Sequence, residues 1–460
     1  MGIIDKIKNI FGMTEEEDKD LVTLLAEGSI VKAKSKFTTR TEDVEKAIAE
    51  YNIETHEICD RPDKQLLKGD IITSWNLPIA YQKKIVQSAK AFLYGKPIRL
   101  KQESEGTDKV FKILQDLRKE MRLPSKDSQV AELRMSETEC AKLFVPYRDS
   151  EADKSDLTKP NSVKCILLAK SLGDILHVSF DSYGVLKAVG REYKIKSGNR
   201  EIEHFDVYMA DMIYKAVRST NTWEVTTEPN LIGKIPIVYY MQKKPEWVDV
   251  QKLIVRREFL TSSRADNNDR TGDAILLLEG DVESLPAAKE AGKVIKMKVG
   301  GKASYLSPQM NVDMVANEKE DLKELINYIT DTFDHDKIIN TQLTSGKALE
   351  MAFFPCLLKA MDSHGYYEEM HDREIEILKA FMYKVIDTSL EAEVKKLMVS
   401  VEFGNPLPDN LEDFVNMLST ATGGKAIMSQ KTAVEKNPLV SDADTEMIQL
   451  KEEGVDDLEP

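Results

Sequence analysis

The sequence predicts an α+β protein whose helices and antiparallel strands occupy separate stretches of the chain. Two segments, Trp247 to about Arg270 and Glu318 to Phe333, follow the i, i+3, i+4 spacing of a single apolar stripe. A short strand-rich excursion separates them, and a long helix interrupted by Pro355 follows. Because this order of elements suits an active-site cleft poorly, it favours an elongated subunit that packs sideways against copies of itself.

The first 145 residues are predicted to be mainly helical. Tyr81–Tyr94 places its apolar residues on one face and ends at Gly95, a residue type that often follows a helix. Asp108–Leu123 repeats this pattern and is expected to end before Pro124. A third helix is predicted over about Ser128–Phe144, and residues 148–162 are expected to form an exposed loop.

Between residues 163 and 240, short runs rich in β-branched and aromatic residues alternate with Gly, Asn, Asp and Ser. This pattern is typical of strands joined by turns, so we expect an antiparallel meander here. The predicted strands are Ile166–Leu168, His177–Phe180, Leu186–Ile195, Phe205–Met209, Trp223–Thr227 and Ile235–Tyr240.

The second half of the chain contributes the tip between the two striped helices, where strands are predicted at Ala274–Leu278 and Val294–Val299. One helix is then expected from about Gly346 to Thr388. Pro355 should bend it, because proline removes one backbone hydrogen bond of the helix. The remaining predicted elements are a strand, Met398–Phe403, and a final helix, Leu411–Ser419.

Length and composition narrow the class of protein. A chain of 460 residues is too long for one simple core, so two or more structural regions are expected. No run of about 18 apolar residues is present, and the N-terminus does not resemble a secretory signal. The four cysteines are widely spaced without a CxxC pair, which favours a reducing compartment over a zinc ribbon or a disulfide scaffold. They are Cys59, Cys140, Cys165 and Cys356.

The net charge of −15 argues against ordinary DNA binding. The last twenty residues carry −7 of it, which leaves about −8 for the other 440. Because affinity for DNA comes largely from neutralising phosphates, an acidic chain is expected to touch nucleic acid only weakly. The acidic terminus itself is interpreted as a solvated tail.

The search for catalytic signatures finds only near misses. Thr422-Gly-Gly-Lys-Ala and Ser345-Gly-Lys-Ala each contain a Gly-Lys pair but lack the earlier glycine and the following Ser or Thr of a phosphate-binding loop. His364, Glu368 and His371 fall at i, i+4 and i+7 of the predicted long helix, which could place three metal-type ligands on one face. A solvated helix face is the favoured interpretation of this set. The sequence therefore predicts no enzyme, no cofactor and no metal.

A polar, uncharged loop lies between the second striped helix and the long helix. By its local sequence this loop is an ordinary connection between two helices. Only its position in the chain suggests a functional role. Its residues are Ile339, Asn340, Thr341, Gln342, Leu343, Thr344 and Ser345.

Several stretches, in order along the chain, resemble the portal proteins of tailed bacteriophages, of the type found in Bacillus siphophages. They span residues 75–450, whereas residues 148–230 match only in strand character and the acidic terminus has no counterpart. The stretches are Phe92-Leu-Tyr-Gly-Lys-Pro-Ile, Gly233-Lys-Ile-Pro-Ile-Val, Ala265-Asp-Asn-Asn-Asp, Ala274-Ile-Leu-Leu-Leu-Glu-Gly, Ser345-Gly-Lys-Ala-Leu-Glu, Val401-Glu-Phe-Gly-Asn-Pro-Leu-Pro-Asp, Met428-Ser-Gln-Lys-Thr-Ala and Asn437-Pro-Leu-Val-Ser-Asp.

This resemblance implies a portal-protein fold with a wing, a two-helix stem, a small α/β clip, a long kinked helix and a helical crown. The wing would comprise residues 1–245, with a helical part at 1–145 and the meander at 163–240. The stem helices would lie in 246–272 and 316–335, the clip in 273–315, the tunnel loop in 336–346, the long helix and return strand in 347–407, and the crown and acidic tail in 408–460.

The resemblance also implies a role in the virion, at one capsid vertex, for a protein made in the host cytoplasm. A ring of twelve copies would surround a channel through which double-stranded DNA is packaged and ejected without sequence specificity. Residues 339–345, as the tunnel loop, would face this DNA. The implied partners are the terminase large subunit, the head–tail connector or adaptor, the major capsid protein and the scaffold protein.

Two other functions remain open from the residues alone. A helical adaptor or scaffold protein would bind its partner through the acidic tail and would be a monomer or dimer. A metal-dependent nuclease would use His364, Glu368 and His371, and its DNA cleavage would require a divalent metal ion.

Overall fold

The computed structural model of the chain describes residues 20–65, 71–147, 162–198, 200–220, 222–271, 275–284, 296–306, 312–334, 346–406, 429–436, 440 and 443–452. It confirms a mixture of helices and antiparallel strands. The chain divides into two compact units, Met1–Asp334 with Pro355–Gly404 and His335–Phe354 with Asn405–Pro460.

The described helices lie mainly before residue 138 and after residue 250, on either side of the strands of residues 139–241. Short 3-10 turns at Ile53–Thr55, Glu57–Asp60, Lys170–Leu172 and Thr388–Leu390 accompany them. The helices are α1 (Leu21–Ala26), α2 (Ile30–Lys34), α3 (Thr41–Tyr51), α4 (Tyr81–Tyr94), α5 (Asp108–Glu120), α6 (Leu123–Glu137), α7 (Gln251–Thr271), α8 (Val312–Ile329), α9 (Gly346–Phe381), α10 (Glu391–Lys396), α11 (Gln430–Lys436) and α12 (Ala443–Glu452).

The described strands pair only in antiparallel fashion. They are β1 (Lys64–Gln65), β2 (Ile71–Ile72), β3 (Arg99–Gln102), β4 (Glu139–Tyr147), β5 (Ser162–Leu168), β6 (Ile175–Phe180), β7 (Leu186–Ser197), β8 (Arg200–Tyr208), β9 (Met212–Ser219), β10 (Thr222–Pro229), β11 (Ile237–Met241), β12 (Ile275–Glu279), β13 (Val282–Ser284), β14 (Lys296–Met297), β15 (Lys302–Leu306) and β16 (Val399–Glu402).

The predicted single meander is wrong in its connectivity, because the strands form two sheets. Strands β6 to β10 form a five-stranded meander in chain order, whereas β4 pairs with both β5 and β11 in a separate three-stranded sheet. The meander buries one face under α1 and α2, with Leu25 and Phe205 fully buried in that core. Strand β9 was not predicted, although each of the other strands of this region overlaps a predicted one.

The prediction of a helix over Ser128–Phe144 is correct only in its first part. Helix α6 ends at Glu137, and β4 begins two residues later. Thr138 makes the change, since its backbone is left-handed with φ of 70° and its carbonyl accepts a hydrogen bond from Arg40 at 3.0 Å. No glycine marks this turn, so the sequence gives no sign of it.

The largest core joins the N-terminal helices to the second half of α9. Val86, Leu114 and Val130, from α4, α5 and α6, lie in one cluster of buried side chains with Leu378 and Phe381 of α9. The apolar stripes predicted for α4 and α5 supply this contact. The helical part of the chain is therefore completed by residues more than 200 positions later.

The two striped helices are confirmed, with α7 starting four residues later than predicted and α8 six residues earlier. Between them, β12 pairs with β15 and β13 with β14, so the tip holds two small ribbons. The strands predicted at Ala274–Leu278 and Val294–Val299 overlap β12 and β14.

Helix α9 runs through Pro355 without interruption and continues into a π-helical turn over Met382–Ile386. The expected bend at Pro355 stays a prediction. Strand β16 confirms the strand predicted at Met398–Phe403 and pairs with β3, 300 residues earlier, where Val399 faces Gln102. The predicted helix Leu411–Ser419 lies outside the described residues.

Candidate functional site

Helices α7 and α8 pack against each other and form a helix pair with the β ribbons between them in sequence. Leu260, Leu322 and Ile326 contribute buried side chains to the pair. Arg256 forms an ion pair with Glu318 at 2.9 Å, and the Arg257 guanidinium donates to the carbonyl of Lys319. The apolar stripes predicted from the sequence thus lie where the two helices meet.

A short extended segment, residues 75–79, is held along α7 by side chains of the helix; we call it the strap. Three side chains of α7, spaced four residues apart, accept hydrogen bonds from alternate backbone N–H groups of the strap, one bond for each side chain. The bonds run from Ile79 N–H to Glu258 Oε1 at 2.8 Å, from Leu77 N–H to Ser262 Oγ at 3.0 Å, and from Trp75 N–H to Asp266 Oδ1 at 2.7 Å.

The acceptors of this ladder are buried, and the carboxylates have cationic partners. Asp266 also binds Arg61 at 2.6 Å and Lys64 at 3.1 Å through Oδ2. Although burial acts to raise it, the Trp75 N–H together with Lys64 and Arg61 lowers the pKa of Asp266. An isolated buried carboxylate would be costly, so these partners are what allow the ladder to form.

His56 supplies the partner of Glu258 at the other end of the ladder. Its Nδ1 lies 2.6 Å from Glu258 Oε1, and its Nε2 lies 2.9 Å from the carbonyl oxygen of Glu50. Because both neighbours accept hydrogen bonds, the geometry requires a proton on each ring nitrogen. Burial acts to lower the pKa of His56, but the hydrogen bond to Glu258 raises it above the ordinary value.

Four charged side chains form a second polar group in the core of the N-terminal helices. Arg118 of α5 and Lys142 of β4 each contact both Asp127 of α6 and Glu374 of α9. The Lys142 ammonium lies 2.6 Å from Glu374 Oε2, and Arg118 lies 3.1 Å from Asp127 Oδ2. All four are at most 5% exposed, so this buried charge cluster closes as two cations against two anions.

Glu374 and Lys142 are each held in the ionised form by the opposite charges around them. Burial acts to raise the pKa of Glu374, but Lys142 and Arg118 hold it well below the ordinary carboxyl value. Burial acts to lower the pKa of Lys142, but Asp127 and Glu374 raise it above the ordinary ammonium value. Removing one member would leave an opposite charge buried without its partner.

The metal-ligand set considered as the alternative for His364, Glu368 and His371 is not assembled in the described structure. His364 stacks on Phe403 at 4.2 Å between ring centroids, and Glu368 is exposed. His371 is fully buried, with Nε2 2.9 Å from the Tyr94 hydroxyl, and burial lowers its pKa to about 4. The favoured interpretation of a solvated helix face holds for the exposed Glu368 but is wrong for His371, which belongs to the core.

Within the described residues, Asp127, His371 and Glu374 do place three possible ligand atoms within 4.8 Å of one another. Residue type alone would fit a divalent cation. Lys142 and Arg118 already neutralise both carboxylates, however, so a metal ion would have to displace two buried cations. This group is therefore an ion-pair cluster that joins four elements.

Residues 339–345, the predicted tunnel loop, lie outside the described residues, and their contact with DNA stays a prediction. The sequence reasoning missed both the strap ladder and the buried charge cluster. The spacing of Glu258, Ser262 and Asp266 on an amphipathic helix was the available signal for the ladder. Nothing local marks the cluster, since Arg118 and Glu374 are 256 residues apart.

In the described part of the chain, no helix is both long and apolar enough to cross a membrane. The buried polar groups described above join elements of the fold to one another. A comparison with family models finds the family "Phage portal protein, SPP1 Gp6-like" over residues 37–459. The chain therefore belongs to this family of phage portal proteins, a structural rather than an enzymatic family.

Solved structures of low similarity were also found. The neck of a native GTA particle, computed with C12 symmetry, matches with 9% identity and a TM-score of 0.42, over 90% of this chain and 99% of that one. The neck of an empty GTA particle, computed with C6 symmetry, has 9% identity and a TM-score of 0.41, over 77% of this chain and 88% of that one. No curated protein matches the chain.

Proposed function

We propose that this chain is the portal subunit of a tailed phage and that twelve copies form a ring-shaped channel at one capsid vertex. Double-stranded DNA would enter through the channel during packaging and leave through it during ejection. The observation that carries this proposal is the family match over residues 37–459. Of the other two candidates, neither the adaptor nor the nuclease is favoured by any contact described above.

The helix pair supports a division into stem and clip. Helix α7 has 21 residues, so it is about 31 Å long, and it leads directly into the β ribbons of residues 275–306. In the proposed ring, 246–272 and 316–335 are the stem, and 273–315 are the clip. Residues 1–245 form the wing, 336–346 the tunnel loop, 347–407 the long helix with its return strand, and 408–460 the crown and tail.

The charge of the chain supports passage of DNA rather than its retention. With a net charge of −15, the ring gains little from neutralising phosphates, and each DNA segment can move on without breaking strong contacts. Residues 339–345 carry no charge and are proposed to touch the DNA backbone without holding it.

The proposed partners follow from the two ends of such a channel. The clip serves as the docking surface for the terminase large subunit during packaging and for the head–tail connector afterwards. The major capsid and scaffold proteins surround the wing and crown. The energy for DNA movement comes from the motor, and the portal itself contributes position and shape.

Electron micrographs of the negatively stained, purified full-length protein test this proposal. Class averages are expected to show rings with a central hole and twelvefold symmetry. Packaging of DNA into procapsids should then require the protein. Particles that stay monomeric at high concentration, even with capsid and scaffold proteins added, would contradict the proposal.

A further inference from the structure

One side of the helix pair carries three cations without a carboxylate partner. Arg257, Arg264 and Lys319 form this basic side; the Arg257 side chain reaches the Lys319 carbonyl, and its Nε is buried without a hydrogen-bond partner. Burial lowers the pKa of Lys319, and Arg264 and Arg257 lower it further. Among the described residues, no carboxylate forms an ion pair with any of the three.

The Arg257 side chain is partly buried and is held in place by its neighbours. Its guanidinium carbon lies 5.3 Å from the centre of the Tyr81 ring, which covers one part of the side chain. Arg264, in contrast, is exposed about two turns further along α7. The three positive charges repel one another, so an anion placed among them would be bound favourably.

The other side of the helix pair is acidic and apolar. Asp321 is exposed there and makes no ion pair within the described residues. Phe259 and Leu325 are each about half exposed, at 45% and 46%, and the guanidinium carbons of Arg61 and Arg256 lie 5.3 and 6.0 Å from the centre of the Phe259 ring. Large apolar side chains that stay half exposed on one surface are typical of a protein contact.

These two surfaces face away from each other. At about 100° per residue, Asp321 lies about 200° round α8 from Lys319, and Phe259 lies about 140° round α7 from Arg264. Surfaces on opposite sides of one subunit can pair from copy to copy, and such a heterologous contact closes into a ring when the rotation between copies allows it.

We infer that the basic side of one copy receives Asp321 of the next copy, with Phe259 and Leu325 covered by the same contact. This inference rests on the proposed ring and specifies which surfaces of the helix pair close it. The partner is a second copy of this chain, since the same subunit presents both the unmatched cations and the unmatched carboxylate.

Charge reversal tests the contact in the full-length protein. Arg264→Glu with Lys319→Glu in one variant, and Asp321→Lys in another, should each weaken ring formation about tenfold or more, because like charges then face each other. The control is a double variant with the same charge change at exposed positions elsewhere, Lys109→Glu with Lys396→Glu. Mass photometry measures the ring fraction, and circular dichroism confirms that each variant is folded.

Mixing the two reversed variants makes the test specific. Each contains one reversed surface, and the reversed surfaces match each other, so an equimolar mixture should form rings in which the variants alternate. Restored rings in the mixture support the contact even if each variant alone is a monomer.

Three results would contradict different parts of this proposal. If the unaltered protein forms rings and both reversed variants form them equally well, the inferred contact is wrong while the portal proposal stands. If the variants lose rings but the mixture does not regain them, the pairing of these two surfaces is wrong. Absence of rings from the unaltered protein would count against the portal proposal itself.

Discussion

The buried charged residues show how single side chains join distant parts of this chain. Glu374 is completely buried in α9, yet it is stable there because Arg118 and Lys142 surround it. A pair of this kind adds little net stability compared with apolar residues of similar volume. Removing one partner is strongly destabilising, because it leaves the other charge buried without compensation. Substituting one charged residue of the cluster should therefore lower the free energy of unfolding by more than the small net stability that the ion pairs add.

Replacing Glu374 with alanine should lower the free energy of unfolding by about 3–5 kcal/mol, because Arg118 and Lys142 would then share one buried carboxylate. Chemical unfolding followed by circular dichroism measures the change. Glu376→Ala is the matched control; Glu376 is exposed, pairs with Lys234 and Lys379, and should cost less than about 1 kcal/mol. Equal losses in the two variants would refute the role assigned to the cluster.

The doubly protonated His56 should make stability fall at alkaline pH. Its pKa is raised in the folded state, so its contribution is fully present below the unfolded value of about 6.5 and is lost as pH rises through the folded value. Unfolding measured between pH 6 and 9 should show this loss, and His56→Gln should remove that part of the dependence. An unchanged pH profile in His56→Gln would contradict the assignment.

At the scale of elements, the amphipathic helices were the most predictable part of the fold. The stripes of α4, α5, α7 and α8 were found because each buries one continuous face, and that face recurs with the helical period. The boundary between α6 and β4 was missed, since Thr138 turns the chain in a conformation usually marked by glycine. The strap was missed as well, because its hydrogen bonds go to side chains rather than to a strand, and the spacing of Glu258, Ser262 and Asp266 was its one signal in the sequence.

Exchange of backbone amide protons tests the strap ladder. Ser262→Ala removes the acceptor of the Leu77 N–H, so exchange at Leu77 should become about tenfold faster, corresponding to roughly 1.4 kcal/mol. Ser263→Ala, one residue further along α7 and not an acceptor of the ladder, is the control. Hydrogen exchange read by NMR or mass spectrometry measures the rates, and equal protection of Leu77 in both variants would refute the ladder.

At the scale of the whole molecule, sequence reasoning identified the class of elements but not their partners. The strands of residues 163–240 were largely found, yet their division into two sheets depends on β4, which was predicted as helix. The pairing of β3 with β16 joins residues 300 positions apart, and no local pattern encodes such a choice. The family, in contrast, was recognisable because its motifs occur in the same order along the chain.

The proposed tunnel loop gives a prediction for the assembled ring. Shortening Thr341–Thr344 should leave ring assembly intact and impair DNA packaging, because in the proposed ring the helices supply the contacts between copies and the loop would face the channel. Class averages of the variant and a packaging assay with procapsids measure the two effects. Loss of the ring itself would show that the loop has a structural role.

The pairing of early cations with a late carboxylate has a consequence for synthesis on the ribosome. Arg118 and Lys142 are translated more than 200 residues before Glu374. Strand β3 is translated about 300 residues before β16, the strand with which it pairs. Until those residues emerge, the N-terminal helices cannot bury their charges at low cost, so they should remain loosely folded and open to chaperones. A nascent chain would then acquire its final shape only near the end of translation, which would keep unfinished subunits out of growing rings.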